Sequence, residues 1–171
     1  MKRINYFVIA SLFLAISFSA YAQQEQKTRK EIRLEKKEKI SAQVDSMITD
    51  KHYVFSARSA HPMSMPMVNL TSEYDVKVKG DSVFVHLPYY GRAYQADYMR
   101  TDGGIKLEAL YEEYSAKKDD NGYDIRFKTE GDSDTYTFNL SVSKSGYATL
   151  HVSSYNRQSI TFNGIFSGLG L

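Results

Sequence analysis

The chain has no cysteine among its 171 residues. Disulfides, thiolate nucleophiles and cysteine-ligated metals are thereby excluded, and a hydrophobic core has to hold the fold unaided. Lipid attachment of the bacterial lipoprotein kind, which needs a cysteine just after the cleavage site, is excluded as well. Catalytic signatures are missing too: there is no G-x-S-x-G elbow, no phosphate-binding glycine loop and no H-E-x-x-H pair. The four histidines, His52, His61, His86 and His151, share no metal-ligand spacing, and His86 and His151 fall on the polar face of their segments. No catalytic residue, metal or cofactor is expected.

An apolar run long enough to span a bilayer, about 20 residues, is also absent. The run at residues 7–18 stops short of that length. It follows Lys2 and Arg3 and leads to Ala20-Tyr21-Ala22, the small-x-small pattern that signal peptidase reads. Residues 1–22 are expected to be a secretory signal peptide, a retained N-terminal anchor being the other reading. The product is expected to be periplasmic or secreted and not membrane-spanning after cleavage. Cleavage takes Lys2 and Arg3 from the 22 basic residues, leaving as many as the 20 acidic ones. Without a basic excess to replace counterions on phosphate, no nucleic-acid partner is expected.

Residues 23–39 are almost all charged or polar and rich in helix formers, with Glu35 and Lys39 in the favourable i, i+4 order. This charged helical leader runs into Ile40, Val44, Met47 and Ile48, which share one helical face. Residues 40–171 form a single β-rich domain. From His52 onward the apolar period is two: Tyr74, Val76 and Val78; Val83, Val85 and Leu87; Tyr94, Ala96 and Tyr98. The series continues through Ile105 to Tyr111, Tyr123 to Phe127, Tyr136 to Val142, Ala148 to Val152, and Ile160 with Phe162. Turn signals separate these segments at Gly80, at Gly103 and Gly104, at Asn121 and Gly122, and at Gly146. The fold class is mainly β: an antiparallel meander forming a barrel or sandwich, lipocalin-like in outline, with an N-terminal α-helix. Leu107, Leu110, Tyr111 and Tyr114 also fit a helical spacing, but the turn-bounded flanks favour a strand. Several strands are expected to be shorter than the roughly 9–11 residues of a transmembrane barrel, with the other face of each polar, so that reading is not favoured.

Acidic residues gather at Glu130, Asp132 and Asp134 and at Asp119, Asp120 and Asp124, where hairpin turns fall and no calcium-loop pattern occurs. Met63, Met65 and Met67 alternate in "HPMSMPM", with Pro62 and Pro66 preventing a helix. They suit a plug at one barrel end, with an adaptable apolar contact or a copper(I) thioether site as the other readings. In "LPYYGRAYQADY", Pro88 cannot donate to a ladder and Gly91 permits a bend, so the stretch reads as a corner between strands. A second reading has Tyr90, Arg92, Tyr94 and Tyr98, with Arg157 from the C-terminal stretch, forming a ligand-binding rim of phenols and guanidinium.

"LPYYGRAYQADY", together with "HVSSYNRQSITFNGIF", resembles the domain of unknown function 4251 family of exported bacterial proteins. The resemblance covers residues 40–166 and implies the fold boundaries, while supplying no activity or catalytic residue. The function expected is that of a non-catalytic binding module for a small amphipathic ligand or a partner segment. The alternative is a structural or protein-interaction component of the bacterial envelope without a small-molecule site. A cavity lined by Tyr94, Tyr98 and Tyr123 would mark the first, and a filled interior with an exposed apolar patch the second.

Exported protein should begin at Gln23. Intact-mass measurement that finds residues 1–22 still attached would remove the signal-peptide assignment.

Overall fold

The computed structural model describes residues 28–94, 103–131 and 134–170. The expected signal peptide and Tyr98 lie outside them. The chain divides into two units between residues 35 and 36. In the first, the backbone N–H of Thr28 donates to Glu31 Oε2 at 2.7 Å, while the Glu31 N–H donates to Thr28 Oγ1 at 3.3 Å. This reciprocal capping box starts helix α1, Arg29–Thr49.

In the second unit the helix turns the expected stripe inward: Val44 and Ile48 are buried, and Ile40 and Met47 are half-buried against the core. The helix stops at Lys51, whose left-handed φ of 50° returns its N–H to the Ile48 carbonyl at 3.2 Å. Asp45 ties the helix to Lys118 through a 2.7 Å ion pair. The Lys118 hydrogen bond holds the Asp45 carboxyl below its usual range. The tie is therefore present above the ordinary carboxylate range and is lost as acid protonates Asp45.

Among the described residues eight strands follow: β1 His52–Pro62, β2 Val68–Lys79, β3 Ser82–Leu87, β4 Ile105–Lys118, β5 Gly122–Glu130, β6 Thr135–Ser143, β7 Tyr147–Ser154 and β8 Ile160–Gly168. Each pairs antiparallel with its sequence neighbours, and β1 pairs with β8, so the meander closes as a barrel rather than a sandwich. Alternation along each strand sends one set of side chains inside. Tyr53, Phe55, Phe127, Phe138, Phe162, Leu87 and Leu150 are fully buried there. Phe127 stacks on Phe138 at 4.9 Å between ring centroids, and Tyr114 and Tyr136 extend this aromatic column toward opposite ends. The outer positions of β6 and β7 carry Thr137, Asn139, Ser141, Thr149, His151 and Ser153. That arrangement is the reverse of the apolar outer band of a transmembrane barrel. Among the described residues no helix is long and apolar enough to cross a membrane.

The segment with two possible periods is strand throughout. A bulge between Glu112 and Ser115, with Glu113 at φ 51°, inserts residues so that Tyr111 and Tyr114 both face inward, 5.0 Å apart. The helical-looking spacing of Tyr111 and Tyr114 is the signature of that bulge. A second bulge separates Ala57 from Ser59 on β1. Opposite it, a Cβ built on Gly164 would overlap the Ser56 carbonyl and press on the Phe55 ring.

Gly164→Ala should therefore lower stability by at least about 2 kcal/mol, an overpacking cost against backbone that cannot step aside. Phe138→Ala, which empties the middle of the aromatic column, should cost about 3–5 kcal/mol. Urea denaturation of both variants measures each; an unchanged midpoint for Gly164→Ala would contradict the close β1–β8 approach.

Candidate functional site

The "LPYYGRAY" stretch closes the barrel end that carries the β1–β2, β3–β4, β5–β6 and β7–β8 connections. Leu87 and Pro88 are buried, after which the chain crosses to the β7–β8 connection. Ala93 bridges Arg157, the Tyr94 N–H donates to the Asn156 carbonyl at 2.7 Å, and the Gln158 N–H donates to the Arg92 carbonyl at 3.1 Å. The Tyr89 hydroxyl lies 2.9 Å from the Arg92 carbonyl and 3.0 Å from that of Gln158, fastening both strands of this small ladder. Burial pushes the Tyr89 phenol above its ordinary pKa, so it stays a donor. The Tyr89 ring lies over Gly91: a Cβ there would sit 2.7 Å from the Tyr89 hydroxyl oxygen and would displace that phenol.

The five expected rim residues separate into different roles. Tyr90 is half-buried against the core, Tyr94 is exposed, and Tyr98 lies outside the described residues. Arg92 works through its backbone, and its exposed guanidinium has no hydrogen-bond partner among the described residues. Arg157 instead reaches the Gly103 carbonyl at 3.1 Å and lies 5.2 Å from the Tyr89 ring centroid. The corner reading describes these contacts. Tyr89, which carries it, was missed because a second tyrosine beside Tyr90 gives no sequence signal of its own.

Among the described residues no open cavity joins Tyr94 to Tyr123, which lie at opposite ends of a filled barrel. Tyr123 follows the β4–β5 turn, beneath Lys118 at 5.4 Å. The space under the corner, lined by Tyr89, Tyr136, Ile160 and neighbours, leaves no room for a water molecule. The acidic turn residues serve the turns: Asp119 Oδ1 accepts from the Asn121 and Gly122 N–H groups, and Asp134 Oδ1 from those of Thr135 and Tyr155. Met63, Met65 and Met67 do not plug the barrel: they are 73%, 50% and 53% exposed. The interior is already filled by aromatic side chains from the strands.

An open concavity lies on the outer wall. A groove of about 620 Å³ crosses β5, β6, β7, β8 and the β1 bulge. One side is a row set by strand register, with Asp124 beside Ser141, then Thr149, Asn163 and Ser59. Within it, Ser141 Oγ donates to Asp124 Oδ1 at 2.6 Å, and Thr149 Oγ1 to Asn163 Oδ1 at 3.0 Å. The neighbouring row is apolar where polar residues belong: Tyr147 of β7 pairs directly with Ile165 of β8, and they are 69% and 40% exposed. Both also line a second hollow of about 320 Å³ that continues to Ile40, Val44 and Met47 of α1. Arg58, at the bulge, supplies a guanidinium at the other end. One wall is thus apolar and the other carries hydrogen-bonding groups, which is the chemistry that holds an amphipathic ligand.

Residues 35–166 match the family model described as Domain of unknown function (DUF4251). The chain belongs to the DUF4251 family. Its fold is also similar to the crystal structure of a DUF4251 family protein from Bacteroides eggerthii, at 16% identity and a TM-score of 0.59, covering 75% of this chain and 87% of that one. No curated protein matches the chain. In this DUF4251 barrel the sequence did hold a signal for the groove: Tyr147 and Ile165 are apolar residues at polar positions of otherwise alternating strands. Their juxtaposition needs the β7–β8 register, which alternation alone does not give.

Arg92→Ala should leave stability within about 0.5 kcal/mol, as exposed surface changes usually do. Arg157→Ala should cost about 1.5 kcal/mol or more through its charged hydrogen bond, and Tyr89→Phe about 1 kcal/mol. Chemical denaturation of the three variants checks the order; a larger loss for Arg92→Ala than for Arg157→Ala would reverse these roles.

Proposed function

We propose that the protein is an exported, non-catalytic binding module that holds a small amphipathic ligand or a partner segment along its outer groove. The observation that carries this reading is the in-register, exposed Tyr147–Ile165 pair within a groove of about 620 Å³. Exposed apolar side chains placed together beside polar groups mark recognition surfaces, because covering them releases water while the rim fixes orientation. The filled interior supports docking on the outer wall rather than within the barrel. Secretion to the periplasm or beyond follows from the signal-peptide pattern. A filled interior beside an exposed apolar patch is what the second reading expects, a structural or protein-interaction component of the envelope without a small-molecule site, in which the same groove takes a partner protein.

Native mass spectrometry of protein purified from its own envelope distinguishes these occupants by mass. The native chain should retain a bound species, and Tyr147→Ser with Ile165→Ser should release it. Tyr147→Ser alone should leave stability within about 0.5 kcal/mol, since the ring is mostly exposed. A bare native protein, or equal retention by the double variant, would overturn the groove assignment.

A further inference from the structure

We propose that the β1–β2 loop is a binding site for a soft monovalent metal ion, copper(I) or silver(I), held by the thioethers of Met63, Met65 and Met67. With no cysteine in the chain, thioethers are its only soft donors, and three of the six methionines fall within this one loop. Soft sulfur ligands select copper(I) over the harder divalent ions, and a neutral thioether binds without losing a proton. The loop leaves these three side chains exposed. Ala60 pairs with Val68, so the chain reverses across the methionines and brings them around one hairpin tip. All three are at least half exposed, and the core beneath them is filled, so packing does not account for their position.

The loop is also held in place. Pro62 ends β1 in a buried position, and Pro66 fixes one backbone angle between Met65 and Met67. Ser64 Oγ donates to Gln158 Oε1 at 2.8 Å, anchoring the residue between the first two methionines to the β7–β8 connection. Ser159 Oγ donates to Met63 Sδ at 3.2 Å, which orients that thioether and leaves its other lone pair for a metal. His61 Nε2, two residues before Met63, is engaged by Ser59 and Asn163, so the sulfurs form the donor set. Exposed methionines also suit an adaptable apolar contact. The two roles separate cleanly, because leucine keeps the volume and apolar area of methionine but has no sulfur.

The test uses the mature chain labelled at the methionine ε-methyl groups. It is titrated with silver nitrate in chloride-free buffer, then with copper(I) under anaerobic competition against a chromogenic chelator. A single ion should shift the Met63, Met65 and Met67 methyl resonances together and saturate them, while Met47, packed between α1 and the barrel, stays unmoved. The triple variant Met63→Leu, Met65→Leu, Met67→Leu should keep the native melting temperature and lose binding of both ions. If the three methyls do not respond, or the triple-leucine loop competes for copper(I) as well as the native one, the metal site is refuted and the loop is an apolar contact.

Discussion

The β1–β8 ladder is the contact on which the other features of the barrel depend. Once His52–Pro62 pairs with Ile160–Gly168, the sheet has a closed interior, and the apolar half of each strand has one place to go. Closure at this radius needs bending, which the bulge between Ala57 and Ser59 supplies, together with a β8 residue without a side chain at Gly164. The same bulge sets Arg58 on the outer wall, where it borders the groove. A covalent staple is replaced here by a complete hydrogen-bonded ring and a column of aromatic side chains.

Closing the ring leaves two ends, and the chain seals them differently. At the helix end, the Tyr53 hydroxyl lies 3.4 Å from that of Tyr114, while Tyr111 donates to the Gly80 carbonyl at 2.6 Å. Burial raises the pKa of Tyr53 and Tyr114, keeping both phenols neutral. Lys51 completes this end with its ammonium 5.0 Å from the Tyr114 ring and 3.4 Å from Asp81. At the other end the seal is backbone pairing between residues 92–94 and 156–158, locked by Tyr89. Tyrosine serves both ends for the same reason: its ring fills apolar space while its hydroxyl satisfies a carbonyl or a neighbouring phenol. A barrel filled in this way leaves its outer wall and loops open to solvent. The groove at Tyr147 and Ile165 and the methionine loop lie there, on different elements.

The sequence made the strands legible because alternation is a local property. Val76 and Val78, Phe138 and Leu140, or Leu150 and Val152 face the core whichever strand lies next to them. The helical stripe of Ile40, Val44, Met47 and Ile48 was legible for the same reason. Corner chemistry was partly legible: Pro88 and Gly91 announced a break, but they could not say that Tyr89 rather than Arg92 would hold it. The methionine loop shows the opposite limit. Its composition suited a plug, yet whether a plug is needed depends on how completely the other strands fill the interior, and Phe55, Phe127, Phe138 and Phe162 fill it.

The sequence by itself determined the absence of disulfides, the matched charges of the chain after residue 22, the two-residue period of the domain and therefore which face of each strand is apolar. Those follow from composition and from the geometry of a single extended chain. Only the tertiary structure decided that the meander closes, that Tyr147 stands beside Ile165, and that the polar row from Asp124 to Ser59 runs unbroken across five strands. Register and closure are set by hydrogen bonds between segments far apart in the chain, and a one-residue slip would move each of these side chains to the other face.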